Sequence, residues 1–305
     1  MNISANEWAW SWWSVMVIIN ILNLAACMYC YRQSVTAPDG DTAYLKRMRI
    51  MGLLFTLVAL YRAIFVSRYL YQYAWFDTIA NSSLLIRTFA WAAELCFSGL
   101  IAMAMLRFNA DLPGGAKSNR FVSLYTSKAP YILIACIFIA QFFATGGLIT
   151  KSRLLFAIEE TLWSCGFLAI LPLAAIQFQR AFSNTYGKPT QALSMLRTFS
   201  AVNLSWCVIY CSYGLVYHLP TEYWASAFQQ LETGIPEIKT GMGAVVDALT
   251  LVNVTHDYED WGFGFVLWHS AYFSVCVWLA IFLMRGPRKL SYPIANSRPS
   301  NNTPK

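Results

Sequence analysis

The sequence predicts an all-α, polytopic membrane protein, a bundle of seven transmembrane helices with the N-terminus outside and the C-terminus in the cytoplasm. Composition is the first observation behind this prediction: of 305 residues, 57% are hydrophobic and only 12% are charged, and the mean hydropathy is +0.45. Soluble domains are about a quarter charged, so an ordinary water-soluble globule is excluded. The same figures exclude an intrinsically disordered chain and a disulfide-rich secreted scaffold.

The second observation is the length of the apolar stretches. A helix needs about 20 residues to cross the hydrocarbon core of a bilayer, and seven stretches reach or approach that length. Strictly alternating segments of about ten residues, which a membrane β-barrel requires, are absent from the sequence. The seven predicted spans lie near residues 10–31, 50–69, 87–106, 129–150, 156–178, 198–217 and 263–284.

The third observation is the distribution of positive charge between the spans. One alternate set of connections carries 16 of the 22 Lys and Arg residues and the opposite set carries 5, while Arg62 lies inside the second span. Cytoplasmic connections are the basic ones, so the N-terminus is predicted outside. The excess of Lys and Arg that gives the net charge of +7 then lies in the cytoplasmic connections, beside the anionic lipids of that leaflet. We therefore expect no nucleic-acid partner, because that function requires a basic face on a soluble domain.

The domain organisation follows from these spans. Residues 1–285 form the predicted transmembrane domain, and the polar segment 286–305 is predicted to be a disordered cytoplasmic tail. One external loop, 218–262, is unusually long and carries seven acidic residues against the single Lys239. Within it, residues 240–254 are predicted to form a short helix. That helix either lies on the outer mouth of the bundle or rests at the headgroup level.

Ionisable side chains inside membrane spans are costly and therefore mark candidate functional sites. In this sequence they fall in the outer half of four spans, whereas the inner halves hold almost none. The predicted catalytic residues are Glu94, Glu159, Glu160 and His269, and the predicted binding residues are Arg62, Arg68, Arg87, His256 and Asp257.

Glu94 is the centre of the predicted site. It stands on a span rich in Ala, Ser and Gly, which favours a central position in the bundle, where a carboxylate must be protonated, paired or bound to a cation. Arg62 lies at a similar depth and is the expected partner, together with His269 and one of Glu159 and Glu160. Three plainer interpretations stay open: a static ion pair, an Arg62 that snorkels outward, and glutamates that simply lie at the interface.

Metal and cofactor binding are left undetermined by the sequence. The chain has only three histidines, and Cys27 and Cys30 form a C-x-x-C without a second pair. The span 263–284 contains no lysine that could form a retinal Schiff base, and the H-x-x-x-H spacing of seven-helix zinc hydrolases is missing. The sequence therefore indicates no resemblance to a known family.

Three classes of function stay open. The first is an enzyme of the cell or inner membrane that acts on a lipid or another hydrophobic small molecule through an outward-facing polar pocket. The second is a receptor or assembly factor that uses the 218–262 loop for recognition. The third is an ion or solute transporter, which the missing internal repeat and the scarcity of polar residues in the inner halves disfavour. Membrane lipid is an expected partner in each case.

Overall fold

A computed structural model describes residues 5–33, 41–111, 119–183 and 191–286. The elements, in chain order, are α1 (Ala5–Arg32), α2 (Thr42–Ile64), β1 (Ser67–Arg68), β2 (Tyr73–Ala74), a 3₁₀ turn (Ile79–Asn81), α3 (Ser83–Asp111), α4 (Arg120–Thr150), α5 (Arg153–Phe182), α6 (Gln191–Tyr213), a π-helical segment (Gly214–Trp224), α7 (Ala225–Thr233), α8 (Gly241–Thr250), β3 (Asn253–Val254), α9 (Tyr258–Ala271), a second π-helical segment (Tyr272–Cys276) and α10 (Val277–Leu283). Except for Gly286, the tail predicted at 286–305 lies outside the described residues.

The all-α prediction is confirmed, and six helical segments are long and apolar enough to cross a membrane. They are Glu7–Arg32, Ser83–Asp111, Arg120–Thr150, Arg153–Phe182, Leu193–Thr233 and Tyr258–Leu283. The helix α2, at the predicted second span, is not among the six. It carries Lys46, Arg47 and Arg49 near its start and Arg62 near its end, which makes it more charged than the others. Multiple apolar spans are typical of a multi-pass membrane protein, whereas the count of seven stays a prediction.

The helices pack in sequence order. Each helix from α1 to α6 contacts the next, and α10 contacts α1, α2 and α3. The contact between α2 and α10 is close because Gly52 has no side chain: a Cβ atom at that position would lie 2.5 Å from Cβ of Met284. Phe55 and Phe97, stacked at 5.1 Å, belong to the buried core between α2 and α3.

The boundaries predicted for the second span, 50–69, are wrong. The helix begins at Thr42 and ends at Ile64, because the chain then turns into a small three-stranded sheet. Ser67 and Arg68 pair antiparallel with Ala74 and Tyr73, and β2 pairs in parallel with β3. Arg68 is therefore a strand residue and not the outer end of a span. We call the end of the bundle that carries this sheet the sheet end.

The predicted end of the sixth span, residue 217, is also wrong. Helical structure continues from α6 through the π-helical segment to Thr233, so the first part of the predicted 218–262 loop is helix. The side chain of Gln230 explains why helical structure extends as far as Thr233. Its Nε2 donates to the carbonyls of Lys151 and Pro236 at 2.7 and 2.6 Å. These bonds hold α7 against the turn between α4 and α5.

The short helix predicted at 240–254 is present as α8, Gly241–Thr250, and is followed by β3. It contacts α3 and α4 and buries Ala244 and Ala248 against them. The backbone N–H of Lys239 donates to the carbonyl of Thr150 at 2.7 Å, which attaches the segment before α8 to the end of α4. The helix thus packs on the end of the bundle through one face, and its depth relative to the headgroups stays a prediction.

Candidate functional site

Four helices contribute polar side chains to one buried group near the sheet end. We call this group the charged cluster; its members are Arg62 on α2, Arg87 and Glu94 on α3, Gln141 on α4 and Glu159 on α5. None of the five is more than 9% exposed. Buried charges persist only where they are paired and hydrogen-bonded, so each contact in the cluster is energetically important.

Arg87 and Glu94 form the centre of the cluster. They are seven residues apart on α3, or two helical turns, and therefore lie on the same face of the helix. Arg87 donates Nη1 to Oε1 of Glu94 at 3.3 Å and Nη2 to Oε2 at 3.1 Å. A two-point guanidinium–carboxylate contact is stronger and more directional than a single hydrogen bond.

Gln141 and Glu159 make two further contacts with the guanidinium group of Arg87. The Arg87 Nη2 donates to Oε1 of Gln141 at 2.6 Å and lies 3.3 Å from Oε1 of Glu159. The Gln141 Nε2 in turn donates to Oε2 of Glu94 at 2.9 Å. The amide of Gln141 thus bridges a cation and an anion, and it joins α3 to α4.

Arg62 lies at the edge of the cluster. Its Nη1 is 3.9 Å from Oε1 of Glu94, and its guanidinium lies 5.8, 5.8 and 5.2 Å from the ring centres of Tyr69, Tyr272 and Phe273. Aromatic faces attract cations at such distances. The aromatic contacts and Glu94 together hold Arg62 in the bundle, so this side chain does not snorkel away from Glu94.

Four buried polar atoms around the cluster have no hydrogen-bond partner among the described residues. They are Nε of Arg87, the hydroxyl groups of Tyr69 and Tyr272, and Nε2 of His269. An unpaired buried polar group costs about 1–3 kcal/mol, and native proteins rarely leave several in one place. Four such atoms beside two arginines indicate a place where water or a polar ligand completes the hydrogen bonds.

Glu160 points away from its neighbour Glu159. Adjacent helical residues differ in direction by about 100°, and the sequence accordingly predicts that only one of the two faces the interior. The structure places Glu159 in the charged cluster, whereas Glu160 is partly exposed and accepts a hydrogen bond from Oη of Tyr210 on α6 at 3.0 Å. This contact leaves most of the acceptor capacity of the Glu160 carboxylate free.

His269 is buried beside the cluster but is not joined to Glu94 by any hydrogen bond within the described part of the chain. Its ring packs 5.3 Å from Trp12, 5.3 Å from Phe265 and 4.3 Å from Phe273. Its Nε2 has no hydrogen-bond partner among the described side chains. An acid/base role for His269 stays a prediction.

Arg68, His256 and Asp257 lie outside the charged cluster. Arg68 donates to the backbone carbonyls of Asp260 and of Trp261, the latter at 3.1 Å, and thereby ties the sheet to the start of α9. The ring of His256 lies 5.1 Å from both Trp10 and Trp75, and Asp257 is exposed. The structure does not bring these three residues together with Glu94, so a shared site with it lacks support.

Lys151 is a buried cation that the sequence did not single out. It occupies the turn between α4 and α5, is 4% exposed, and donates Nζ to the carbonyl of Tyr69 at 3.3 Å. Burial and the nearby positive charge of Lys239 lower the pKa of Lys151 to about 7, although Asp247 partly opposes the change. Its left-handed backbone, with a φ of 61°, ends α4.

A metal site is not evident in the ranges that the structure describes: no three His, Cys, Asp or Glu side chains are grouped so that they could hold an ion. All eight cysteines are free thiols. Cys27, from the C-x-x-C pair, is buried with its Sγ 3.5 Å from Sδ of Met284.

Comparison of the chain with models of protein families, with curated proteins and with solved structures finds no match. The function has to be argued from the geometry of the chain itself.

Proposed function

We propose that the chain is a seven-span membrane protein whose sheet end faces outward. The excess of Lys and Arg in the connections at the opposite end supports this orientation. We include α2 as a span, because it packs between α1 and α3 and carries Arg62 into the buried cluster. On this topology the charged cluster lies in the outer half of the membrane.

We further propose that the charged cluster binds the polar end of a lipid or another hydrophobic small molecule, and that the protein is an enzyme acting on that molecule. One observation carries the proposal: buried polar side chains from four helices, four of them charged, meet beside four polar atoms that lack a partner in the described structure. Intramembrane charges are costly and mark functional sites by default. A polar ligand would supply the missing hydrogen bonds.

The three carboxylates have different roles in this proposal. Glu94 accepts hydrogen bonds from Arg87 and Gln141 and faces Arg62, so it holds the two guanidinium groups in place. Among the described residues, Arg87 is the one cation within salt-bridge distance of Glu159. The hydrogen-bond partner of Glu160 in the described part of the chain is the Tyr210 hydroxyl. Glu159 and Glu160 are therefore the better candidates for proton transfer, because acid/base groups need a carboxylate that is not already saturated by donors.

Native mass spectrometry of the protein purified in mild detergent tests this proposal. We expect the wild-type protein to retain a bound hydrophobic molecule, and Tyr272→Phe to retain about tenfold less, since one hydrogen bond to the polar end of the molecule is lost. Tyr131→Phe, at an exposed position on α4, is the matched control and should behave as wild type. A wild-type protein without a bound molecule, or equal retention in Tyr272→Phe, would refute the binding site.

Turnover of the retained molecule distinguishes an enzyme from a binding protein. On the enzyme proposal, wild-type protein converts added molecule to product and Glu159→Gln does not, although it still binds. Retention without any conversion would contradict the enzyme and leave the receptor alternative, in which the segment 218–262 is the recognition surface.

A further inference from the structure

Arg62 is a buried arginine that donates no hydrogen bond to any residue that the structure describes. Its side chain is 8% exposed, and its contact with a carboxylate among these residues is the 3.9 Å approach of Nη1 to Oε1 of Glu94. A guanidinium group carries five N–H donors and cannot accept a hydrogen bond. Because buried charged groups persist only where they are paired and hydrogen-bonded, Arg62 requires a partner that the described residues do not supply.

Aromatic side chains surround the guanidinium group of Arg62. Its Cζ lies 5.8 Å from the ring centres of Tyr69 and of Tyr272, and 5.2 Å from that of Phe273. The hydroxyl groups of both tyrosines are buried without a hydrogen-bond partner in the described chain. Two unpaired hydroxyl groups thus belong to rings that contact the same guanidinium group, which is itself without a hydrogen bond to the described residues.

The polar atoms that lack a partner here are mainly hydrogen-bond donors. Nε of Arg87 is buried and unpaired within the described structure, and Nη1 of Arg87 and Nη1 of Arg62 approach the same oxygen of Glu94, at 3.3 and 3.9 Å. Arginine nitrogens only donate, and a tyrosine hydroxyl can donate as well as accept. A complementary ligand must therefore present oxygen atoms that accept hydrogen bonds, whereas an ammonium group can only donate them.

The charge of the cluster narrows the choice of acceptor group. The positive charges of Arg62 and Arg87 cancel the negative charges of Glu94 and Glu159. A phosphate monoester carries a charge of about −1.5 to −2 at pH 7, and it would leave a buried site with an uncompensated charge, which is costly. A carboxylic acid adds no net charge, because it enters together with its own proton.

We propose that the charged cluster binds the carboxylic acid group of a hydrophobic molecule: the carboxylate accepts hydrogen bonds from Arg62 and Tyr272, and its proton passes to Glu159. The O–H bond of the acid breaks and an O–H bond forms on Glu159, so the total charge is unchanged. This inference rests on the proposed function, because it names the head group of the molecule that the cluster recognises.

The contacts of the two glutamates support this division of roles. Among the described residues, Glu159 has one ionic contact, with Nη2 of Arg87 at 3.3 Å, whereas Glu94 contacts both arginines and Gln141. Glu159 is therefore the carboxylate that loses fewer interactions when it takes a proton. The planar fork of an arginine also matches the two oxygens of a carboxylate, and such charge-assisted bonds are about twice as strong as neutral ones.

Native mass spectrometry of the detergent-purified protein with added ligand tests the head group. The probes are hexadecanoic acid, hexadecan-1-ol and hexadecylamine, which share one chain and differ at its polar end. Each is added separately at the same concentration. We expect the acid to be retained at least about tenfold more than the alcohol or the amine, since the acid alone forms charge-assisted hydrogen bonds with Arg62. Equal retention of acid and alcohol, or a preference for the amine, would overturn the carboxylic acid.

A substitution of Arg62 tests its part in binding. Arg62→Gln should lower retention of the acid at least about tenfold and leave that of the alcohol unchanged. Arg47→Gln, at an exposed position on the same helix α2, is the matched control and should retain the acid as wild type does. Equal retention of the acid by Arg62→Gln and wild type would overturn the assignment of Arg62.

Infrared spectroscopy of the wild-type protein gives a test that does not depend on how the variants fold. With hexadecanoic acid that is isotope-labelled at its carboxyl carbon, we expect the paired stretching bands of an ionised carboxylate from the bound molecule. The single carbonyl band of a protonated acid would overturn the transfer of its proton to Glu159.

The failure of this inference differs from the failure of the proposed function. A protein that retains a hydrophobic molecule of its own, yet binds the added acid no better than the alcohol, would refute the carboxylic acid and leave the proposed function intact. A protein that retains no molecule of its own and binds none of the three probes would refute both.

Discussion

Arg87 and Glu94 are joined by two hydrogen bonds, at 3.3 and 3.1 Å, across two turns of the same helix. A pair formed within one helix does not depend on the approach of a second helix, so α3 can enter the membrane with its charges already compensated. The other helices then add Gln141, Glu159 and Arg62 around this pair. The arrangement makes Arg87 the cation on which the cluster depends.

Arg87→Met should therefore destabilise the protein more than Glu94→Gln. Without Arg87, the buried carboxylates of Glu94 and Glu159 lose their closest cation, and breaking a buried ion pair typically costs about 3–5 kcal/mol. Glu94→Gln leaves Arg87 paired with Glu159. Thermal unfolding in detergent micelles measures both effects.

The double variant Arg87→Met/Glu94→Gln is the control for this prediction. It removes both charges of the central pair and should be more stable than Arg87→Met alone, because one uncompensated carboxylate has been neutralised. Additive losses in the double variant would show that the two residues do not form a coupled pair.

Gln141→Leu tests the bridge between α3 and α4. The substitution removes one acceptor from Arg87 and one donor from Glu94, and we expect a loss of about 1–3 kcal/mol. Gln179→Leu changes an exposed glutamine on the neighbouring helix α5 and should leave the unfolding temperature within about one degree of wild type. Similar losses in the two variants would mean that the Gln141 hydrogen bonds contribute little.

Two glycine substitutions test the packing of the helices. Gly52→Ala should destabilise the protein, because its Cβ would lie 2.5 Å from Cβ of Met284 and would push α2 from α10. Gly243→Ala should instead stabilise α8 by up to about 1 kcal/mol, since no atom lies within 4 Å of its Cβ position and alanine is the better helix former. If both variants raised or both lowered the unfolding temperature, the result would contradict a close helix contact at Gly52 and open space at Gly243.

The titration of Lys151 predicts a pH dependence of stability. Burial lowers its pKa in the folded protein to about 7, against 10.5 for an ordinary lysine, so the unfolded chain binds more protons between these two values. The free energy of unfolding should consequently rise as the pH increases from about 7 to about 10.5, with no contribution from Lys151 to any change below 7.

Lys151→Met removes this titration and is the variant to measure. We expect it to be more stable than wild type at pH 7, with an unfolding temperature that rises less between pH 7 and 10. Lys128→Met, at an exposed position on α4, should keep the wild-type slope. Parallel pH profiles for wild type and Lys151→Met would show that the lysine is not held as a buried amine.

Local patterns allowed much of the fold to be predicted from the sequence. Long apolar runs located the helices, and six of the seven predicted spans coincide with helices that can cross a membrane. The predicted ends near 69 and 217 failed because they depend on tertiary contacts. The chain leaves the helix after Ile64, and Ser67 and Arg68 then pair with β2. The side chain of Gln230 holds α7 against Lys151. The hydropathy of the sequence carries no information about either contact.

The candidate site was predicted in part. Depth along the spans grouped Arg62 and Glu94 with His269 and with one of Glu159 and Glu160, and the structure places Glu159 in the cluster. Arg87 was predicted as a binding residue but not as the partner of Glu94, and Gln141 was not among the predicted site residues. The seven-residue spacing of Arg87 and Glu94 is the signal that could have identified this pair. The positions of His256 and His269 depend on the packing of tryptophans from α1 and the sheet, which spacing along the chain does not encode.

A cryo-EM map of the protein in lipid nanodiscs tests most directly whether the charged cluster holds a ligand. We predict density for a non-protein polar group within about 2.7–3.2 Å of Nε of Arg87 or of the hydroxyl groups of Tyr69 and Tyr272. A map in which these atoms have no non-protein density within hydrogen-bond distance would contradict the account.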